Sequence, residues 1–545
     1  MAFWPALAAR PDDPRRRPRR PRPRRTLRLP SVVAAAVALA LAATACGGGS
    51  DSSGGGSSTA PVRQGGSITI PLPVESRGLD PFVASYTATA DGSRMAALYD
   101  FLITLDPKTG EVTPRIAESL VPDAAGKVWT LRVRPGVTFT DGTPYDAAAV
   151  KANWDAHADP AMKSLRRGLV TGVTTEVTGP LELRVTLATP NLSFNRTVAY
   201  GLSFIASPTA FRADPAGFAA NPVGAGPFKL KDWVRGDHQT MVRNPGYWKA
   251  GLPHLDQVTF KTVSDNQQIL SAISTGQADL TVMSDGQAGE QAADKKLKAD
   301  TMQVDGGQFF LFNLKRAPFD DPRARRAIAL AIDAEDLTKS LFNGQVQPGR
   351  GVFRENSTLI DPTVPQQPGY DKAEAQRLFD QLAAEGKPVN FTFLTQQHAT
   401  ARKTAEYMQS RINQYNNAHM EIEALEVGAY ITKGLVNREF QAQNYGMWQA
   451  DPDPAFDTLF RSTSTSNYGG YSSPAADAAL DAARAAATPE ARKQAYTDLV
   501  REIAKDLPVW VWQEATTSTV YRPQLTGVTL VNEGQLAMDQ IGLTG

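Results

Sequence analysis

Apolar and polar residues alternate with period two in several separate stretches of this chain. Ile68, Ile70 and Leu72 form one such stretch, and Trp129, Leu131 and Val133 stand between Thr130, Arg132 and Arg134. Leu181, Leu183, Val185 and Leu187 alternate with Glu182, Arg184 and Thr186, and Val258 with Phe260 shows the same spacing. Successive side chains of a strand point to opposite faces, so each stretch predicts a half-buried strand of a mixed sheet. Helix starts are equally readable. Asp321-Pro322 and Ser473-Pro474 place a capping oxygen before a proline at the first helical position, where the missing N–H costs nothing. Asp371 and Glu374 have capping-box spacing. Behind Asp321, the residues Ala324, Ile328, Ala331 and Ile332 share one face, which leaves Arg323, Arg325 and Arg326 for a solvated side. Strands and helices mix along the chain without a constant repeat, which predicts α/β lobes and argues against a solenoid or propeller.

The beginning of the chain follows a different pattern. Ten arginines between positions 10 and 28 precede an apolar run over 29–45, then Cys46, then a Gly/Ser tract to Ser58. This order resembles a bacterial lipoprotein signal, which implies a leader over 1–45, cleavage before Cys46 and a lipid on its sulfur. Two acyl chains hold a protein stably where one does not, so attachment to the membrane is expected. Arg24-Arg25-Thr26-Leu27 leaves twin-arginine export open beside the Sec route. Residues 46–62 have too little apolar content to fold and read as a tether with an r.m.s. span of ~24 Å.

The leader also distorts the charge. It carries ten arginines and two aspartates, so the formal +1 of the whole chain becomes −7 without it. A mildly acidic body of 500 residues suits neither nucleic acid nor adhesion to anionic lipid. No second apolar stretch is long enough to span a bilayer. A single cysteine permits no internal disulfide, so burial and packing must supply stability, and this length predicts two or more lobes.

Several ordered segments resemble one family. These are Gly65-Gly-Ser-Ile-Thr-Ile70 with Gly78-Leu-Asp-Pro81, Trp129 to Pro144 running into Ala149-Val-Lys151, and Pro222-Val-Gly-Ala-Gly-Pro-Phe228. Arg243-Asn-Pro-Gly-Tyr-Trp248, Phe312-Asn313 with Pro318-Phe-Asp-Asp321, Ala331-Ile-Asp333 and Asp451-Pro-Asp-Pro454 complete the set. Together, over roughly residues 63–535, they are similar to the extracytoplasmic solute-binding proteins of the dipeptide, oligopeptide and nickel ABC-transporter family, family 5. The resemblance implies a bilobed α/β fold, periplasmic-binding-protein-like type II, with an extra subdomain inserted in lobe I. Lobe I would comprise 63–309 and 513–545, with the subdomain at about 95–220, and lobe II would comprise 310–512. The chain would cross between lobes near Phe310–Asn313 and Trp510–Gln513. Locally, Arg134-Pro-Gly136 and Asp141-Gly-Thr-Pro144 are turn chemistry, and Gly224-Ala-Gly226 reads as a tight backbone corner without the lysine of a phosphate loop.

In peptide-binding members an aspartate soon after a tryptophan neutralises the ligand's α-ammonium, and Trp448-Gln-Ala-Asp451 matches that spacing. Asp451 is the expected anchor, Asp453 can exchange roles with it, and a turn-capping carboxylate fits the same run. Trp448, Tyr468 and Tyr86 are candidate aromatic walls, and Arg402 is the candidate cation for a ligand carboxylate. The five histidines, at 157, 238, 254, 398 and 419, show no metal spacing, and no Gly-x-Ser-x-Gly elbow occurs. No catalytic residue, metal or cofactor is therefore expected. The expected protein is a monomeric, membrane-anchored receptor that captures a short peptide and hands it to ABC permease subunits. A nickel chelate, an oligosaccharide or another polar metabolite is the alternative ligand, a transport-independent sensor the alternative role, and a secreted hydrolase the alternative from another class.

Overall fold

The computed structural model describes residues 61–284 and 286–545; the leader, Cys46 and the tether up to residue 60 lie outside the described residues. Three sheets organise the body. In the first, Ser67–Leu72 runs parallel to Gln257–Thr262, followed by antiparallel His238–Arg243 and Phe228–Val234. The alternating residues Ile68, Ile70, Val258 and Phe260 point into a core shared with the helix Gly92–Tyr99 and with the C-terminal residues Leu525, Leu536 and Ile541. The second sheet is antiparallel, in the order Ala117–Pro122, Val128–Val133, Glu182–Leu187, Val173–Gly179. Trp129, Leu131, Leu183 and Val185 build a separate core there with Trp154. Leu181 is outside the strand that its alternation predicts: Gly179 pairs with Glu182, so Pro180 and Leu181 form the intervening turn.

The third sheet has six strands, in the order Leu280–Met283, Val509–Tyr521, Lys298–Phe312, Ala442–Gln449, Val389–Gln396, Ala418–Leu425. Its central segments are apolar on both faces, as fully covered strands require. Phe310, Phe312, Trp510 and Trp512 enter one core, with the helices Pro322–Ala331, Lys372–Ala384 and Ala399–Ile412. Phe309, Leu311, Val509 and Val511 enter another, with Pro474–Ala485 and Pro489–Asp506.

The two long strands, Lys298–Phe312 and Val509–Tyr521, tie these cores to the first. Their antiparallel register breaks between Val304 and Gln308. At the break Gly306 and Gly307 have φ of 103° and 134°. A Cβ would lie 2.1 Å from the Met447 carbonyl oxygen at the first and 2.2 Å from the Gln513 carbonyl oxygen at the second, so no other residue fits either place. A small cluster of Met302, Val304 and Ala515, with Trp448 against it, packs at this junction.

The capping oxygens do what their positions predict. Asp321 accepts from the Arg323 amide at 2.9 Å and Ser473 from the Ala476 amide at 3.2 Å. Asp371 accepts from the Glu374 amide at 3.0 Å, but Glu374 does not reciprocate; it pairs with Arg377, and the Asp371 amide donates to the Leu330 carbonyl. Arg325 departs from the solvated face expected of it. It is buried, and its guanidinium donates to the carbonyl oxygens of Phe319 at 2.7 Å and Asp506 at 2.8 Å, which offsets its desolvation. Gly226 is a tight corner: its amide donates to the Leu98 carbonyl at 2.9 Å, and a Cβ would meet the Ala97 carbonyl oxygen at 2.4 Å. No helix among the described residues is long and apolar enough to cross a membrane.

Candidate functional site

Three cavities of about 550, 570 and 840 Å³ meet at Tyr445, in the space between the cores. One wall comes from the six-stranded sheet, whose strand Ala442–Gln449 presents Tyr445, Gly446 and Trp448. Thr87, Ala88, Tyr200 and Glu533 form the opposing wall. Among the described residues, the space is rich in hydrogen-bonding groups that the protein leaves unused. The indole N–H groups of Trp448 and Trp512, Asn444 Oδ1 and Thr404 Oγ1 are buried without a partner, and all four residues line the 570 Å³ cavity. Buried polar atoms are rarely left unpaired unless something else pairs with them. A recess of this size with aromatic walls and a few convergent polar groups suits a small polar ligand.

The aromatic candidates reach this space. Trp448 lines two of the cavities, and its ring lies close over Gly446, where a Cβ would approach it to 2.8 Å. Tyr468 lines the 550 Å³ cavity and packs edge-on against Tyr445, with centroids 5.8 Å apart. Tyr86 lines the largest cavity, with its hydroxyl donating to the Pro81 carbonyl at 2.7 Å and the Arg166 guanidinium 3.7 Å from its ring centroid. Burial, and the neighbouring charge of Glu533, push the Tyr200 hydroxyl up to about 12.

The charged candidates are placed otherwise. Asp451 is buried and lines none of these cavities. Arg492 binds it through both terminal nitrogens, with Nη1 at 2.9 Å, and Arg196 Nε donates to it at 2.8 Å. Burial raises its carboxyl, but the Arg492 and Arg196 guanidinium groups outweigh that effect and hold it below the ordinary carboxylate value. Asp453 is occupied too, by Arg484 at 2.7 Å and Thr197 Oγ1 at 3.3 Å. Both carboxylates thus join the 95–220 segment to the later part of the chain instead of facing the cavity. Arg402 lies on the outside of the helix Ala399–Ile412 and is paired with Glu406 at 2.9 Å, while its neighbours Ala401 and Thr404 line the cavity.

Glu533, Arg166, Tyr200 and Tyr445 have no counterpart in the sequence reading. Glu533 sits in Val531-Asn-Glu-Gly-Gln535, which looks like an ordinary polar hairpin tip, and Arg166 lies in a basic run of the kind that is usually solvated. No local signal marks either of them.

A body of mixed sheets with a polar, aromatic-walled cavity between separate cores defines the class of solute-binding proteins. The chain belongs to family 5 of that class, matching "Bacterial extracellular solute-binding proteins, family 5 Middle" over residues 111–469. It is 30% identical over 448 residues to the glutathione-binding protein GsiB of Salmonella paratyphi A, covering 79% of this chain and 86% of that protein. Its fold matches the binding protein AgaA of A. tumefaciens R10, solved with agropinic acid, at a TM-score of 0.77 with 22% identity, covering 88% of this chain and 99% of the other. The oligopeptide-binding protein AppA of Bacillus subtilis, solved with a nonapeptide, also matches at 0.77 with 20% identity, covering 89% of this chain and all of AppA. The protein is accordingly the extracytoplasmic substrate-binding component of an ABC importer, a transport receptor and not an enzyme.

Proposed function

We propose that the protein captures a short peptide in the cavity around Tyr445 and releases it to the permease while tethered to the membrane through Cys46. The observation that carries this reading is the set of unpaired buried groups on Trp448, Trp512, Asn444 and Thr404, which a peptide backbone with its alternating donors and acceptors would satisfy. Trp448, Tyr468 and Tyr86 supply apolar area with little conformational entropy to lose. The relative named for glutathione, itself a tripeptide, supports the same ligand class.

Capture between lobes is the reading that the paired long strands Lys298–Phe312 and Val509–Tyr521 support. Lobe I is taken as 63–309 and 513–545 with its subdomain at about 95–220, and lobe II as 310–512. The glycine pair at 306–307 and the register break beside it support a pivot a few residues ahead of Phe310. A ligand that touches both walls binds the closed arrangement better than the open one, and that differential affinity is what closes the lobes. Mass spectrometry of what copurifies, followed by calorimetry with di- to pentapeptides, tests the proposal. Binding of an unrelated metabolite with no affinity for any peptide refutes it.

A further inference from the structure

An acid, Glu533, and a cation, Arg166, both line the 840 Å³ cavity, and among the described residues neither forms an ion pair. Glu533 stands at the tip of a hairpin formed by Leu530–Val531 and Gln535–Leu536. The tip is fixed from both sides. Asn532 accepts from the Leu105 amide at 2.8 Å and donates to Gln535 Oε1 at 3.0 Å, and Gln535 Nε2 donates to the Tyr86 carbonyl at 2.6 Å. Asn532 and Gln535 are consumed in holding the turn, and the half-buried Glu533 is the member presented to the cavity. Its carboxyl receives one backbone hydrogen bond, from Ala450. Burial holds that carboxyl far above the usual carboxylate range, and the nearby charge of Asp451 adds to the effect.

Arg166 provides the cation. Its guanidinium lies over the Tyr86 ring, and no carboxylate comes within ion-pair distance of it. Tyr200 lines the same cavity. An acid withdrawn from water without a counter-ion is costly, and a fold that fixes its turn through Asn532 and Gln535 keeps it for something that arrives from outside. Arg166 has a guanidinium fork already oriented by stacking, which suits a carboxylate.

We infer that the cavity selects a zwitterion, with a cationic group seated at Glu533 and a carboxylate at Arg166, so that Glu533 takes the role which Asp451, already bound by two arginines, cannot fill. The inference rests on the proposal that this cavity is the ligand site, and it narrows the ligand to molecules with free charged ends.

Calorimetry on the purified protein tests it with trialanine, glutathione, N-acetyl-trialanine, trialanine amide, and the non-peptide zwitterions ornithine and carnitine. Wild type is expected to bind a free peptide, and acetylation or amidation is expected to weaken that peptide by roughly 10- to 100-fold each. Glu533→Gln should lose a similar factor and become indifferent to acetylation, and Arg166→Gln should become indifferent to amidation. Superimposable melting curves establish that both variants fold; Arg166→Lys, which keeps the charge, should retain part of the affinity. If free peptides bind and neither variant nor either blocking group matters, the zwitterion inference falls and the peptide proposal stands. If ornithine or carnitine binds through both residues and no peptide does, the peptide proposal falls and the inference stands. If no member of the panel with two free charges binds, both fall.

Discussion

Asp451→Asn separates two roles that the sequence leaves open for this residue. In the structure its carboxylate accepts from Arg492 twice, from Arg196 once and from the Asp453 amide, with 5% of the side chain exposed. Replacing it by an amide strands a guanidinium that is itself 9% exposed, Arg492, and weakens one that is 23% exposed, Arg196. Removing one member of a buried ion pair costs about 3–5 kcal/mol, and the near-complete burial of Arg492 places this substitution in that range. Arg196→Gln, which leaves the Arg492 pair intact, should cost only about 1–2 kcal/mol. Urea denaturation followed by tryptophan fluorescence measures both, and calorimetry with trialanine measures the effect on binding at temperatures where the variants remain folded. The sign with pH is fixed as well. The folded carboxyl lies below its unfolded value of 3.8, so the stabilisation is fully present above that value and is lost as pH falls through the folded one. The variant should lack this component of acid unfolding. If Asp451→Asn keeps wild-type stability and abolishes peptide binding, the carboxylate is a ligand anchor and the arrangement described here is wrong.

Three further outcomes are expected. Burial lifts Asp305 to about 7 against the opposing Arg354, so the folded state holds a proton that the unfolded state releases above 3.8; stability should fall as pH rises from 3.8 to about 7 and level off beyond, and Asp305→Asn should flatten that slope in denaturation curves taken at each pH. Gly307→Ala places a Cβ 2.2 Å from the Gln513 carbonyl oxygen at a φ of 134°, which should cost at least about 2 kcal/mol in the same urea assay, and a neutral result removes the steric case for a glycine pivot. Cys46→Ala should move the protein from the membrane pellet to the soluble fraction on immunoblots, and unchanged pelleting would leave the lipid anchor without support.

What could be read in advance was whatever a residue reports about its own surroundings. Ile68, Leu131, Val185 and Phe260 alternate because one face of each strand is dry, and Asp321 and Ser473 cap because the donors they satisfy are two or three residues away. Partnerships across the fold leave no such trace. Arg196 is 255 residues from Asp451 in the chain, so spacing after Trp448 identified an acidic side chain without revealing that its charge was already taken. Arg325 fails similarly, because one of the two carbonyls that accept from it belongs to Asp506, 181 residues away. Glu533 is the reverse case: polar hairpin tips are ordinarily solvent-facing, and the bonds of Asn532 to Leu105 and of Gln535 to Tyr86 turn this one inward.

The pairing of Val62 and Arg63 with Thr544 and Leu543, together with Leu525, Leu536 and Ile541 in the core behind Ile68 and Phe260, bears on how the polypeptide matures. Removing the residues from Leu525 onward would therefore uncover the apolar side of Ile68 and Phe260, a surface of the kind that chaperones and proteases recognise.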